Sequence, residues 1–258
     1  LLPQDRLEEI VQNALDQFYK RRLASFEKQS IKKLFKRKNP YLFRAVGIND
    51  PRKLVDAVLA AHFSSSDEGI FGNKFFETIA REVSGGRKSG TDSSDVELER
   101  ENVTVFYAVK SGNAVFNNNS LRKQIEVFEG YRRRLVGHAF EAVVGYGYGR
   151  RESVPGKGKK NFREVSGQAF WEEMSGDPEL YKKLLPIVGK KADEHAPKYE
   201  QAVMERKEKM IAEFLAEFGT PDGQIDWDKL LAFNSGKKQP QKTKVKKGKK
   251  SPQTELKS

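Results

Sequence analysis

Asp95-Val96-Glu97-Leu98-Glu99-Arg100, then Glu101-Asn102, then Val103-Thr104-Val105-Phe106-Tyr107-Ala108-Val109-Lys110-Ser111-Gly112: the reading of this stretch decides the fold. The first run alternates acid with apolar residues, the period-two signature of a strand with one buried face. The second is rich in Val, Phe and Tyr, residues that fit a pleated surface. A polar pair sits between them, so the spacing predicts a β-hairpin. Pairing two such strands brings a carboxylate at the start of one, Asp95, toward a lysine at the end of the other, Lys110. A hard divalent cation held by the carboxylate, with an ammonium beside it, suits attack of water on a phosphodiester.

Two readings of the strand face stand side by side. Asp95, Glu97 and Glu99 share one side if the alternation holds, and three like charges in a row also describe a solvated sheet edge. Lys110 ends an otherwise apolar strand, where a lysine either snorkels to water or faces a reacting group. Glu77 is a further candidate. It lies in a helical pattern whose residues 75, 76, 79, 80 and 83 are apolar, a poor place for a solvated acid. It either pairs with Arg81 one turn on or points toward the hairpin. Mg2+ keeps several waters and takes one or two carboxylates, so Asp95 and Glu77 with the Val109 carbonyl would supply enough oxygen.

Outward from the hairpin, the periodicity predicts helices over residues 5–36, from Asp50-Pro51 to about Phe63, and over 71–83. A polar break is expected at Ser64-Ser65-Ser66-Asp67-Glu68-Gly69, and a flexible loop from Ser84 to Gly90. Asn39-Pro40 is expected to close the first helical region. After the hairpin, Asn117-Asn118-Asn119-Ser120 caps a helix to about Leu135, and residues 138–146 read as a strand. Residues 145–160 read as a loop, and residues 166–234 as helices broken at 175–178 and 220–223. The expected class is α/β in the α+β sense: a small mixed sheet within a mainly helical shell. The expected organisation is a helical region over 1–63, a catalytic core over 64–165, a second helical region over 166–234 and a disordered tail over 235–258.

Charge divides unevenly along the 258 residues. The formal net charge is +12, of which the last 24 residues hold nine Lys against one Glu, leaving about +4 for the rest. Such a tail either attracts phosphates or merely solubilises. The start of the helix after the hairpin combines Asn119, Arg122, Lys123 and Gln124, and the loop Gly145-Tyr146-Gly147-Tyr148-Gly149-Arg150-Arg151 combines aromatics, arginines and close-approach glycines. Both suit phosphate and base-edge contacts, with an ordinary charged surface as the competing reading. With no cysteine, disulfides and thiolate zinc sites are excluded, which fits a cytoplasmic location. No run approaches the roughly 20 apolar residues of a membrane span. No phosphate-loop or dinucleotide fingerprint occurs, and His62, His138 and His195 lack ligand spacing.

Taken together, Asp95 and Ala108-Val109-Lys110 on adjacent strands, after a helix bearing Glu77, resemble the PD-(D/E)xK nuclease superfamily. Further segments resemble the PmeII-type group of type II restriction endonucleases. These include Asn39-Pro40-Tyr41-Leu42-Phe43-Arg44-Ala45, Gly85-Gly86-Arg87-Lys88-Ser89-Gly90, Val109-Lys110-Ser111-Gly112-Asn113 and Ser166-Gly167-Gln168-Ala169-Phe170-Trp171. The likeness spans roughly residues 5–234. It implies a restriction-endonuclease-type core that cuts both DNA strands at a short sequence with Mg2+. It also implies a homodimer, because a two-fold protein matches a palindromic site, and a partner DNA methyltransferase that shields the host's own sites. Asp95 would ligate the metal, Lys110 would position water and steady the transition state, and Glu77 would match the helix glutamate. One position departs from the pattern: the superfamily's acid two residues before the lysine is here Ala108. Glu77 is the favoured substitute, ahead of Glu97 and Glu126. A repair or junction-resolving nuclease and a catalytically inactive DNA-binding protein are the rival readings.

Overall fold

The computed structural model describes residues 2–88, 95–112, 116–151 and 160–236. The expected lysine tail therefore lies outside the described residues, apart from its first two. The hairpin forms as read. Strand β1 (Val96–Arg100) pairs antiparallel with β2 (Val103–Lys110), Val96 opposite Tyr107 and Arg100 opposite Val103. Glu101 and Asn102 both have positive φ, 45° and 67°, the backbone a tight two-residue hairpin turn demands.

From β2 the chain crosses over through α6 (Asn118–Arg134) to β3 (Ala139–Tyr146), which lies parallel to β2; β4 (Arg163–Ser166) extends the sheet parallel to β3. The order is β1-β2-β3-β4, a mixed four-stranded sheet. Asn117 accepts from the Ser120 amide and Ser120 reaches back to the Asn117 amide, so the predicted cap of α6 is a reciprocal capping box. Strand β2 is buried on both faces, which explains its near-continuous apolar run. On one face Val96, Val105, Tyr107, Val109, Val143 and Val165 pack against Phe75, Ile79, Phe170, Trp171 and helix α1 (Gln4–Glu27). On the other, Phe106, Ala108, Ala142, Val144 and Tyr146 pack against Phe128 and Tyr131 of α6.

The helices complete the shell: α2 (Ile31–Phe35), α3 (Pro40–Ala45), α4 (Pro51–Phe71), α5 (Glu77–Ser84), α7 (Gly167–Ser175), α8 (Leu180–Phe218) and α9 (Trp227–Ser235). A separate apolar cluster, including Phe26, Phe35, Leu54, Val58 and Phe214, ties α1, α2, α4 and α8 together. Asp50 caps α4 with Pro51 in its first turn, as expected. Asn39 caps α3, so Asn39-Pro40 opens a helix as well as following one.

Two expectations are corrected, and one strand is added. The polar run 64–69 is no break: α4 passes through it and continues by a π-helical turn (Gly72–Phe76) into α5. Tertiary bonds hold that run helical. Arg22 Nε donates to both Asp67 oxygens at 2.9 and 2.8 Å, and the Ser111 hydroxyl donates to Glu68 at 2.7 Å. Strand β4 occupies residues between the expected loop and the expected helix, where no element was read. Finally, the loop reading of 84–90 gives way at Arg87, which bridges antiparallel to Glu97 through two backbone bonds of 3.1 and 2.9 Å.

Candidate active site at the rim of the sheet

Antiparallel pairing places the start of β1 beside the carboxyl end of β2. The Asp95 amide donates at 2.9 Å to the carbonyl of Tyr107, the residue that already stands opposite Val96, so two residues on this side face one on β2. The Asp95 side chain then turns to β2. Its Oδ2 accepts from the Val109 amide at 2.6 Å and lies 3.4 Å from Lys110 Nζ. Both side chains are about a fifth to a quarter exposed, so the pair sits at the lip of the core with its charges reaching solvent. Both bonds that Asp95 makes with described residues use the one oxygen, Oδ2.

Glu77 opens α5 on the helix that runs past this rim. Its carboxyl is pushed up from the ordinary range by burial first and then by the like charge of Asp95, while Arg81, Lys74 and Lys88 pull it down. The π turn serves this geometry. Glu68 and Glu77 are nine residues apart, roughly two and a half α-helical turns and hence on opposite faces; an inserted residue removes about a third of a turn and swings them toward one side. Gly72, within that turn, packs on β2: a Cβ there would lie 3.1 Å from the Ser111 nitrogen.

Glu97 and Glu99, the next acids along the chain, are otherwise engaged. Arg87 forms an ion pair with Glu97, its Nε at 3.0 Å. Glu99 accepts from the Thr104 hydroxyl at 2.9 Å. Arg87 therefore relieves the repulsion expected of three acids in a row. Glu126 is on the exposed side of α6, 3.7 Å from Arg122. Ala108 is fully buried in the apolar cluster beneath α6. Its methyl group offers no metal ligand.

Helix α6 begins shortly after β2 ends, so its first turns lie at the Lys110 end of the sheet. Asn119, Arg122 and Lys123 are exposed there. Gln124 is not among them: it is 8% exposed, and its Nε2 bonds no described residue. Arg150 is exposed and Arg151 half-buried, just beyond the end of β3 at the same rim. The glycines before them meet protein rather than ligand. A side chain at Gly145 would strike the Phe170 ring, one at Gly147 the Phe76 ring and one at Gly112 the Tyr148 ring. An open cavity of about 850 Å3 adjoins these residues, with Phe76, Tyr148, Arg150, Gln168 and Trp171 in its wall.

The sequence reading missed Glu68. It receives the hydroxyl of Ser111, which is 3% exposed and directly follows Lys110. The Tyr148 phenol is pushed up by burial and then by the charge of Glu68, and the two residues line one cavity. The Ser in Lys110-Ser111-Gly112 was the available signal. None of the described helices is long and apolar enough to cross a membrane.

This geometry joins an acid, an ammonium and a basic rim at the carboxyl ends of parallel strands, where open α/β sheets place their ligands. A family model described as "Type II restriction endonuclease EcoO109I" matches residues 5–196. No curated protein matches the chain. The matched span covers α1 through most of the sheet's helical surroundings, including every residue of the rim just described. The chain belongs to the type II restriction endonuclease EcoO109I family.

Proposed function

We propose that this protein is a Mg2+-dependent, sequence-specific double-strand DNA endonuclease with a PD-(D/E)xK-type centre at Asp95, Glu77 and Lys110. The observation that supports this most is the meeting of Asp95 and Lys110 from adjacent strands, 3.4 Å apart at the sheet rim, with Glu77 near enough to feel Asp95. The PmeII-like segments refine the reading within the family.

Among the described residues no three His, Cys, Asp or Glu side chains form a metal-holding group. Mg2+ does not require three, because water and substrate phosphate complete its shell. Asp95 and Glu77 fit that demand, with the Val109 carbonyl as a further oxygen. Bound there, the cation would polarise the phosphoryl group and make water more acidic. The protein's own groups do the rest. Lys110, oriented by Asp95, meets negative charge developing on the phosphate oxygens. Glu77 would share the cation with Asp95, and the positive charge would relieve the repulsion between the two acids. Asn119, Arg122, Lys123, Arg150 and Arg151 hold the DNA backbone. A homodimer would present two such rims to a palindromic site, with a methyltransferase protecting the host's copies.

Ala108 favours a second reading, a DNA-binding protein that has lost cleavage. Digestion of plasmid and linear duplex with Mg2+, followed by end mapping, separates the readings. Discrete fragments from linear duplex support restriction. Cutting confined to branched substrates points to repair or junction resolution. Duplex binding without cleavage in Mg2+ or Mn2+ selects the inactive protein.

A further inference from the structure

Glu164 plays no part in the chemistry above, yet it is an acid only 3% exposed inside the sheet. It lies on β4 in the same lateral row as Val144 and Ala108. An apolar residue would fill that place without the cost of burying charge. Its surroundings explain the acid. Glu164 Oε1 accepts from the Tyr146 hydroxyl at 2.8 Å and lies 3.6 Å from Arg151 Nη1; Oε2 is 2.5 Å from Lys160 Nζ.

These groups continue the candidate site sideways. Tyr146 is the register partner of Lys110, so its ring stands beside that lysine on the same face. The Arg151 guanidinium lies 5.9 Å from the Tyr146 ring centre. It is raised mainly by the Tyr146 hydroxyl, against burial. The side chains of Arg151 and Lys160 remain 41% and 26% exposed. Across the four strands the rim therefore reads Asp95, Lys110, Tyr146, then two cations locked to a buried acid. A guanidinium fork fixed in direction is suited to a phosphate.

We propose that Glu164 is a positioning residue which, through Tyr146, aims Arg151 together with Lys160 at a DNA phosphate neighbouring the one at Lys110. This rests on the DNA-cleaving reading above. Charge alone predicts the opposite behaviour: a carboxylate under a phosphate repels it, so neutralising Glu164 would tighten binding. Positioning predicts that neutralising it loosens binding.

The test is fluorescence anisotropy of the full chain with a labelled duplex, without divalent cation, over roughly 50–200 mM salt. Arg151→Ala should weaken binding about tenfold and flatten the salt dependence by about one phosphate, ~0.9 in log–log slope. Glu164→Gln should weaken binding and flatten the slope in the same way, and the double variant should bind no worse than Arg151→Ala. Tyr146→Phe keeps the ring, loses the hydroxyl and should show a smaller loss of the same sign. It carries the test if circular dichroism shows Glu164→Gln unfolded. Tighter or unchanged binding by folded Glu164→Gln, additive losses, or a lowered melting point with an unchanged slope would overturn the proposal. A wild-type chain with no affinity for duplex at any of these salts would overturn the DNA reading itself.

Discussion

Restoring an acid at Ala108 probes the candidate site most sharply. Ala108 is fully buried and directly precedes Val109, whose amide donates to Asp95. In Ala108→Glu a second carboxylate would be carried one residue from the amide that holds Asp95. At a separation of about 5 Å and an effective dielectric constant near 20, the repulsion between the two acids is about 3 kcal/mol. Burial of the new carboxylate adds to this, so the variant should be at least that much less stable than wild type at pH 7 without divalent ions. A cation shared by the two acids removes the repulsion and adds linkage. At 100 times its dissociation constant, Mg2+ stabilises by about 2.7 kcal/mol, close to the repulsive part of the loss. Urea unfolding with and without Mg2+ reads both quantities, and plasmid cleavage is followed in parallel. The expected result is a variant that Mg2+ partly rescues and that cuts DNA at least as fast as wild type. An equal loss of stability with and without Mg2+, and no gain in cleavage, would refute the claim that Asp95 faces a metal site.

Glu77→Gln should stabilise the metal-free protein at pH 8, and the advantage should disappear as pH falls. The sign follows from burial: a carboxyl raised in the folded state costs stability only when ionised, and melting curves across pH check it. Arg163→Met should cost about 2 kcal/mol in urea unfolding, because it takes the charged fork from the half-buried Glu173. Arg163 forks onto Glu173 at 2.9 and 2.7 Å and reaches Glu141 at 2.7 Å, pinning α7 to the sheet; a loss below about 1 kcal/mol would show the network to be surface-like. Ser111→Ala should cost about 1.5 kcal/mol by leaving Glu68 without its donor. Combined with Glu68→Ala it should add little, whereas additive losses would deny the bond seen at 2.7 Å.

The hairpin was legible because local and global signals agree there: alternation, β-branched residues and a polar turn pair all point one way. The approach of Lys110 to Asp95 followed from that hairpin, and Lys110 and Glu77 stood out as charges set in apolar patterns. The continuous helix through Ser64–Gly69 was not. Its local sequence reads as a turn, and it is held by Arg22 on Asp67 and Ser111 on Glu68, bonds from distant parts of the chain. Strand β4 was hidden because Arg163 and Glu164 enter the sheet as ion-paired charges rather than as apolar residues. Gly145 and Gly147 suggested close approach, which was correct, but the approaching groups are the rings of Phe170 and Phe76. Gln124 looked like its basic neighbours in sequence, yet helical phase turns it inward.

Single-turnover cleavage of a mapped linear duplex in Mg2+, comparing wild type with Asp95→Asn and Lys110→Ala, tests the central claim most directly. Wild type should release discrete fragments, and each variant should lose cleavage by at least about a hundredfold while still binding the duplex. Cleavage by either variant at the wild-type rate would contradict it.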